Sequence, residues 1–434
     1  MTATPDDTGT TASSSASPSP SGSPGREHDI AIFGATGFVG RLLADYLARN
    51  APAGLRIALA GRSRDKLEAV RDSLAGAAAS WPIVLADSTD PDSLTALARA
   101  SRVVATTVGP YAKYGKDLAS ACALEGTDYV DLTGEVLFAR ESIDANHEAA
   151  RASGARIVHS CGFDSVPSDL GVHVLHAAVA ADDAGELLDT TLVVSALRGG
   201  VSGGTIDSLR TQVVEAASDK RARALALDPY SLSPDRAAEP DLGRQSDVGV
   251  VKGTDIAPSV QGWKAPFVMA SYNTRVVRRT NALREWAYGR RFRYRETMSV
   301  GRSPLSPVLA GAVAGGLGVL VAGLAAKPTR ALLDRVLPSP GDGPSEKTRR
   351  NGHFTMDLYT TTTTGTRYEA RFRADGDPGY QATAVMLGES ALGLALDHDA
   401  LPDAAGVLTP ATALGDVLVD RLRRQGFEIT ARRS

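Results

Sequence analysis

The stretch Ile30-Ala31-Ile32-Phe33-Gly34-Ala35-Thr36-Gly37-Phe38-Val39-Gly40 decides the fold of this chain. Four apolar residues are followed by three glycines spaced three apart and then by a helical apolar pattern, which predicts a strand, a tight turn and a helix. Glycines at this spacing allow the turn, a close approach to a pyrophosphate and packing of the helix on the strand. The helix N-terminus then faces the anion. We therefore predict a dinucleotide site with contacts from Gly34, Thr36, Gly37, Phe38 and Gly40.

The end of the second predicted strand, 56–60, indicates which dinucleotide binds. It runs into Gly61-Arg62-Ser63 and carries no carboxylate to hold a ribose 2′-hydroxyl. Arg62 can stack on adenine and pair with a 2′-phosphate, while Ser63 offers a hydroxyl and Lys66 adds positive charge. The alternative is that these are solvated cations at a helix start, but basic residues there oppose the helix dipole, so a bound anion explains them better. The pattern favours NADPH over NADH.

The alternation of strands and helices continues to about residue 161. Further strands are predicted at 81–86, 102–108, 129–135 and 157–160, with an amphipathic helix closed by Gly154 before the last of them. Asp87 follows the third strand, where it either meets an adenine edge or caps the next helix. The fourth strand ends in Val108, Gly109 and Pro110, beside the nicotinamide ribose and pyrophosphate. The predicted fold class is α/β: a Rossmann doubly wound parallel sheet with a second α+β substrate domain.

Length and composition bound the remaining possibilities. A chain of 434 residues is too long for one core, so two domains are expected. A formal charge of −3 argues against a nucleic-acid partner, and two cysteines cannot build a disulfide framework or a zinc knuckle, so no metal site is predicted. Cys122 and Cys161 are expected to be inert, and His147 to be a solvated helix residue.

The chain divides into four expected segments. Residues 1–27 are Ser-, Thr-, Pro- and Gly-rich without an apolar signal region, which predicts a disordered tail and a cytoplasmic protein. Residues 28–161 form the NADP-binding domain. Residues 162–405 form the substrate domain, with a helix capped by Ser168 or Asp169, a polar surface excursion at 219–262 and a hairpin at 354–373. Residues 406–434 contain a last helix, capped by Thr409.

Residues 303–326 are unlike the rest of the chain. These 24 residues carry no charge and are long enough to span a bilayer. Gly311 and Gly315 have the spacing of packed helices, so a buried or partner-facing helix is the alternative. We predict peripheral rather than spanning association with a membrane or lipid surface, with Val313, Leu317 and Leu320 as contact residues.

Several motifs follow one another in a characteristic order. They are GATGFVG at 34–40, LAGRS at 59–63, TTVGPY at 106–111, YVDLTGE at 129–135, CGFDSVPSD at 161–169 and GVLTPATALG at 406–415. Together they resemble the saccharopine-dehydrogenase-like oxidoreductases, and more narrowly the actinobacterial trans-acting enoyl reductases. The resemblance implies an NADPH-dependent enoyl reductase that acts on thioester intermediates in polyketide and lipid biosynthesis, carrier-bound on a polyketide synthase. It also implies that the C-terminal segment packs on the nucleotide domain.

Candidate catalytic donors lie after the fourth and sixth strands. Tyr111 or Tyr114 could donate a hydrogen bond to the thioester oxygen, where charge develops during hydride transfer. The alternative for Tyr111 is a purely supporting role in the nicotinamide pocket, because no Tyr-x-x-x-Lys pair is present. Lys113, His159, Asp164 and Ser165 complete the set of candidates, and the last two are expected to fix the connection between the domains.

Two other functions remain open at this stage. A saccharopine-type amino-acid dehydrogenase would need an arginine pair to clamp substrate carboxylates, which Arg275, Arg278 or Arg279 would have to supply. A non-catalytic nucleotide-binding protein at membranes or lipid bodies would use the apolar segment 303–326 for its location.

Overall fold

The computed structural model describes residues 25–199, 203–333 and 345–434. The expectation for residues 1–24 lies outside the described residues. The strands are β1 (His28–Phe33), β2 (Ile57–Gly61), β3 (Ile83–Leu85), β4 (Ser101–Thr106), β5 (Asp128–Val130), β6 (Arg156–Val158), β7 (Leu187–Arg198), β8 (Val251–Lys252), β9 (Trp263–Pro266), β10 (Arg293–Ser299), β11 (His353–Thr362), β12 (Arg367–Asp375), β13 (Gly406–Leu408) and β14 (Glu428–Arg433).

Helices connect these strands. They are α1 (Phe38–Asn50), α2 (Arg64–Ser73), α3 (Pro91–Ala100), α4 (Tyr111–Tyr114), α5 (Lys116–Glu125), α6 (Val136–Ser153), α7 (Val166–Ala181), α8 (Gly203–Ser218), α9 (Lys220–Leu227), α10 (Ala270–Leu283), α11 (Ser306–Ala325), α12 (Lys327–Leu333), α13 (Glu346–Arg350), α14 (Thr383–Leu396), α15 (Pro410–Ala413) and α16 (Gly415–Arg424).

The first sheet is parallel and doubly wound. Its order in the described chain is β13-β6-β5-β4-β1-β2-β3, with Ile30 opposite Ile57 on one side and Val103 on the other. The order reverses between β1 and β4, which opens a crevice at their carboxyl ends. The central strands β1 and β4 are almost entirely buried, because helices cover both faces of the sheet. This arrangement confirms the predicted Rossmann class.

The second sheet is mixed and lies in the expected α+β half. Its order in the described residues is β14-β12-β11-β7-β10-β9-β8. The predicted hairpin is present as β11 and β12, which pair antiparallel from His353 to Thr361, whereas β7 and β10 pair parallel. Residues 219–262 are not only a surface excursion, because they include α9 and β8.

The C-terminal segment differs from the expected single helix. β13 extends the first sheet by pairing in parallel with β6, and β14 forms an edge of the second sheet beside β12. Thr409 caps α15, as the sequence predicts, but the helix breaks at Leu414, where Gly415 adopts a left-handed φ of 49° and α16 begins. Residues 406–434 therefore tie the two sheets together.

A helix from the expected substrate domain packs on the nucleotide domain. α14 contacts α1, β1, β4 and β5. A Cβ on Gly388 would lie 2.6 Å from the ring of Tyr46, so this helix approaches α1 closely. One residue along, the Glu389 carboxylate accepts a hydrogen bond from the Tyr46 hydroxyl. The nucleotide domain thus recruits elements from far along the chain.

Two further expectations need correction. Arg26, within the predicted tail, is anchored: its guanidinium donates to the carbonyls of Ala98 (2.7 Å) and Arg99 (2.8 Å). The helix expected to be capped by Ser168 or Asp169 is α7, which begins three to four residues earlier with Ser165 at the N-cap. Asp169 instead accepts the Ala411 amide at 2.8 Å.

Candidate active site

The glycine turn lies at the crevice between β1 and β4. Gly34 has a left-handed φ of 87°, and a Cβ there would be 2.7 Å from the Val108 side chain. A Cβ on Gly40 would lie 2.1 Å from the Gly34 carbonyl oxygen, so α1 packs directly on the turn. Gly37 is the N-cap of α1, and no side chain caps this end of the helix. Its first amides therefore face the crevice, which fits a pyrophosphate.

The ends of β2 and β3 form the adenine side of this crevice. Arg62 is exposed there, and Ser63 is the N-cap of α2 but does not use its hydroxyl to cap the helix. Lys66 is exposed one turn along α2. The cationic groups are thus accessible to a 2′-phosphate, which fits NADP(H).

Asp87 takes part in a local turn. Its carboxylate accepts both the amide and the hydroxyl of Thr89, each at 2.9 Å. These bonds, with a smaller contribution from the Arg62 charge, lower the pKa of Asp87. The following helix is capped by Asp90, whose side chain accepts the Asp92 amide. Asp87 therefore does not cap that helix, and it remains beside Arg62.

A cavity of about 450 Å³ opens next to the glycine turn and takes its walls from both halves of the chain. Of the predicted nucleotide contacts, Gly37, Phe38, Gly109 and Pro110 line it, and of the candidate catalytic residues, Tyr111 and Asp164 do. In the described part of the chain, the other predicted nucleotide contacts do not line this cavity. They are Gly34, Thr36, Gly40, Arg62, Ser63, Lys66, Asp87 and Val108. Helices α8, α10 and α11 supply the opposite wall.

Tyr111 lines the cavity, but backbone groups engage its hydroxyl. That hydroxyl donates to the Thr106 carbonyl (3.2 Å) and accepts the Leu132 amide (3.1 Å). Burial raises the pKa of Tyr111 well above its usual value. This geometry favours the supporting role over donation to a substrate.

Tyr114 and Lys113 are less closely connected with the cavity. Tyr114 is half-buried and lies outside the described lining, and the Lys113 ammonium sits 5.6 Å from its ring centroid. Within the described residues, neither side chain belongs to the cavity lining, so the structure does not favour either as a proton donor.

Glu135 joins the two walls of the cavity. Its fully buried carboxylate accepts the amides of Tyr111 (3.0 Å) and Ala112 (2.8 Å), which begin α4. It also accepts the Ser208 hydroxyl from α8 at 2.8 Å. Burial, the largest influence, raises the pKa of Glu135. Gln212, one turn further along α8, binds the Val136 amide and the Gly134 carbonyl.

His159 belongs to a buried network beneath the cavity. Its Nδ1 lies 2.7 Å from Oδ2 of Asp131 and its Nε2 lies 2.8 Å from the Ser142 hydroxyl. The other oxygen of Asp131 accepts the Thr133 and Ser160 amides. Asp131, His159 and Ser142 resemble a catalytic triad, but they do not belong to the described lining of the cavity. Their hydrogen bonds instead hold the ends of the strands in place.

Asp164 and Ser165 lie where the chain leaves the first sheet. Asp164 lines the cavity, whereas the buried Ser165 hydroxyl donates to Oδ1 of Asn273 on α10 (3.0 Å). The Ser165 contact joins the N-terminus of α7, just beyond the nucleotide domain, to α10, which agrees with a role in fixing the connection between the domains.

Ser160 and Tyr272 are cavity residues that the sequence analysis missed. Their oxygens lie 2.5 Å apart, and both side chains are buried at the cavity wall. Ser160 follows β6 with a left-handed φ of 68°, which is rare outside glycine. The only sequence signal was the position of Ser160 at a strand end, because nothing local connects it with a tyrosine 112 residues away.

The arginines considered as a carboxylate clamp have other partners. Arg275 and Arg278 both bind the Asp247 carboxylate, at 2.9 and 2.7 Å. Arg279 donates to the carbonyls of Leu232 and Val407. All three side chains are buried outside the described cavity lining, so they give no support to a saccharopine-type substrate site.

Helix α11 places two of its leucines in the cavity. Leu317 and Leu320 line it, and buried Ser306, Ala310 and Leu324 continue the same inward face. By length and composition alone, α11 is long and apolar enough to cross a membrane, and most of it is exposed. The expected lipid contacts Val313, Leu317 and Leu320 are half-buried, and the leucines of this set line the cavity. The exposed large apolar side chains of α11 are Val308, Leu309, Val319 and Val321.

The remaining titratable candidates are structural. Cys122 and Cys161 are buried free thiols, and burial raises the pKa of each. His147 is not solvated as expected: it is half-buried and its Nδ1 accepts the Val407 amide of β13 at 3.1 Å. Burial lowers its pKa. In the described ranges, no group of three His, Cys, Asp or Glu side chains is arranged to hold a metal ion.

Comparison with known proteins gives consistent relationships. Residues 30–158 match the family model described as the saccharopine dehydrogenase NADP binding domain. A Mycobacterium tuberculosis protein provisionally named a trans-acting enoyl reductase is 54% identical over 413 residues, covering 94% of this chain and 98% of its own. The trans-acting enoyl reductase of Mycobacterium ulcerans is 50% identical over 414 residues, covering 94% and 98%.

A solved structure resembles the chain in fold. Apo saccharopine dehydrogenase (L-Glu forming) from Saccharomyces cerevisiae covers 93% of this chain and 99% of its own, with a TM-score of 0.54 and 11% identity. At this identity the likeness concerns the two-domain fold alone.

Proposed function

The chain belongs to the trans-acting enoyl reductase family, and from that premise we propose that it reduces the carbon–carbon double bond of an enoyl thioester. The saccharopine dehydrogenase NADP-binding domain makes it an NADPH-dependent oxidoreductase. In the proposed reaction, enoyl thioester, NADPH and a proton give the saturated acyl thioester and NADP⁺. The supporting observation is the cavity, which joins the glycine turn to an apolar wall.

NADPH would supply a hydride for the β-carbon of the enoyl group. The chain's own residues would bind and orient the reactants. Gly37 and the free N-terminus of α1 would hold the pyrophosphate, and Arg62, Ser63 and Lys66 would hold the 2′-phosphate. Gly109 and Pro110 would border the nicotinamide, with Tyr111 keeping that loop in place through its bonded hydroxyl.

The inward face of α11 would hold the acyl part of the substrate. Leu317 and Leu320 offer only hydrocarbon to the cavity. A cavity of about 450 Å³ is at the small end of ligand sites and must also admit a nicotinamide, so a long chain would extend out of it along this wall. The proposed partner is a carrier that presents the thioester, such as a domain of a polyketide synthase.

The outward face of α11 would touch a lipid surface. Val308 and Val319 are 68% and 73% exposed. Exposed apolar surface of this kind is typical of a site that contacts a partner or a lipid surface. Arg302 precedes the helix, and Lys327 and Arg330 follow it, so both ends carry charge that complements anionic headgroups. We propose a cytoplasmic protein that associates peripherally through this face.

The assay for the proposed function follows nicotinamide absorbance. The protein is incubated with NADPH and a crotonyl-type thioester, and separately with pairs of a 2-oxo acid and an amine. Oxidation of NADPH with the thioester alone is the expected result. Oxidation of NADPH only with the oxo acid and amine would favour the saccharopine-type reaction. Oxidation of NADPH with neither substrate set would favour a protein that binds the nucleotide but does not catalyse either reaction.

A further inference from the structure

The cavity lining contains a pair of hydroxyl groups, one from each half of the chain. Tyr272 comes from α10 and Ser160 from the carboxyl end of β6, and their oxygens are 2.5 Å apart. Both residues line the same cavity as Gly109 and Pro110, which follow β4. The pair therefore lines the cavity that would hold the nicotinamide and the substrate.

The backbone of Ser160 is fixed independently of this contact. Its amide donates to Oδ1 of Asp131 at 2.9 Å, and the same carboxylate is held by the Thr133 amide and the Tyr129 hydroxyl. Asp131 is fully buried, so its carboxylate is held in this orientation. The left-handed φ of Ser160 is thus imposed by its surroundings, and it directs the hydroxyl toward Tyr272.

Two hydroxyl groups that share one hydrogen bond use only one of their two protons in it. If the Ser160 hydroxyl donates to the Tyr272 oxygen, the phenolic proton of Tyr272 is available to another acceptor in the cavity. Tyr272 is 3% exposed, and burial, as the largest influence, raises its pKa, so the phenol keeps its proton at neutral pH. A neutral donor of this kind suits an oxygen on which negative charge develops.

We propose that Tyr272 is a catalytic residue that donates a hydrogen bond to the thioester oxygen, and that Ser160 is the positioning residue that orients its hydroxyl. This inference rests on the proposed function. As hydride adds to the β-carbon, the C=C π pair forms a double bond between the α-carbon and the carbonyl carbon, and the C=O π pair moves onto the thioester oxygen, where Tyr272 stabilises the negative charge. When the enolate collapses, the α-carbon takes a proton from solvent, and Tyr272 retains its own.

Tyr272→Phe removes the donor without changing the ring. We expect kcat to fall about a hundredfold or more, as for loss of an oxyanion-stabilising donor. The Kd for NADPH should stay within about twofold, because Tyr272 lies on the substrate side. NADPH deuterated at the transferred position should show a larger kinetic isotope effect with the variant, because hydride transfer becomes more rate-limiting. A purely structural hydroxyl would not change this isotope effect.

Ser160→Gly is the matching change for the positioning residue. Glycine accepts the φ of 68° without strain, so the variant removes the hydroxyl and preserves the backbone. We expect kcat to fall about tenfold, and the double variant to be no slower than Tyr272→Phe alone, since Ser160 acts through Tyr272. Tyr288→Phe, which changes a buried tyrosine outside the cavity lining, serves as a control with wild-type kcat.

The outcomes distinguish the role assigned to Tyr272 from the proposed function of the protein. Wild-type activity with a thioester and an unimpaired Tyr272→Phe variant would overturn the catalytic assignment while leaving the proposed function intact. A folded Tyr272→Phe variant with low kcat and an unchanged isotope effect would likewise overturn it. No activity of the wild-type protein with any enoyl thioester would overturn the proposed function and this inference with it.

Discussion

The Ser208 hydroxyl on α8 donates to Oε1 of Glu135 at 2.8 Å, and this bond connects the substrate wall of the cavity to its nucleotide wall. The Glu135 carboxylate also accepts the two amides that begin α4. The position of α8 is thereby coupled to the loop that carries Gly109 and Pro110. A hydrogen bond to a charged group contributes about 1.5–3 kcal/mol.

Ser208→Ala should therefore loosen the cavity while the carboxylate keeps its backbone partners. We expect KM for the thioester to rise about tenfold, because α8 is less well held, with a small change in the midpoint of thermal unfolding. Ser218→Ala, at the exposed end of the same helix, is the matched control. An unchanged KM in Ser208→Ala would show that the bond does not set the cavity geometry.

Gly37 and Gly40 should respond differently to substitution. Gly37→Val places a side chain where the pyrophosphate would approach, but its Cβ would meet only the Gly34 carbonyl at 3.3 Å. We expect it to abolish NADPH binding in a titration while circular dichroism shows a folded protein.

Gly40→Ala should affect the fold itself. Its Cβ would be 2.1 Å from the Gly34 carbonyl oxygen, so α1 would have to move from the strand. A marked drop in thermal stability is expected.

For the Gly37→Val variant, wild-type NADPH affinity would mean that the phosphates bind elsewhere.

Arg62 should select between the two nicotinamide cofactors. Arg62→Ala removes the cation at the end of β2, and we expect NADPH affinity to fall about tenfold or more while NADH affinity hardly changes. Fluorescence titration with both cofactors measures the difference. Arg49→Ala, an exposed arginine paired with Asp45 on α1, is the control. Equal losses for NADPH and NADH would contradict the 2′-phosphate assignment.

The two faces of α11 should have separable effects. Val308→Ser with Val319→Ser removes outward apolar surface, and we expect binding to vesicles of anionic and zwitterionic phospholipid to weaken about tenfold or more. Leu317→Ala with Leu320→Ala alters the cavity instead, so vesicle binding should persist while KM for long enoyl thioesters rises. If the wild-type protein does not sediment with the vesicles, the peripheral association proposed for this face is wrong.

Glu296 should make stability depend on pH. It is fully buried on β10, where it accepts hydrogen bonds from Asn273 and Tyr294, and burial raises its pKa to about 7. Because the folded-state pKa lies above the unfolded one, protonation favours the folded protein. Its contribution therefore grows as pH falls from about 8 toward about 4.5, by up to roughly 3 kcal/mol. Denaturant unfolding across this range, compared with Glu296→Gln, should show the wild type gaining stability relative to the variant. A pH-independent difference would contradict the raised pKa.

The sequence alone determined the nucleotide half of the molecule. The strand, turn and helix at 30–40 follow from apolar periodicity and from glycines required at particular backbone positions, and these properties are local. The missing carboxylate at the end of β2 is likewise a local feature, and it indicates NADPH. The ordered motifs also predicted the family to which the chain belongs.

Tertiary structure alone decided what surrounds the cavity. Tyr272 and Ser160 meet across 112 residues, and the Tyr111 hydroxyl is engaged by backbone groups that no motif identifies. Composition showed that α11 is apolar, but packing decided that Leu317 and Leu320 face the cavity while Val308 and Val319 face outward. The physical reason is that strand and helix formation depends on neighbours in the chain, whereas a side chain's partners depend on how distant elements pack together.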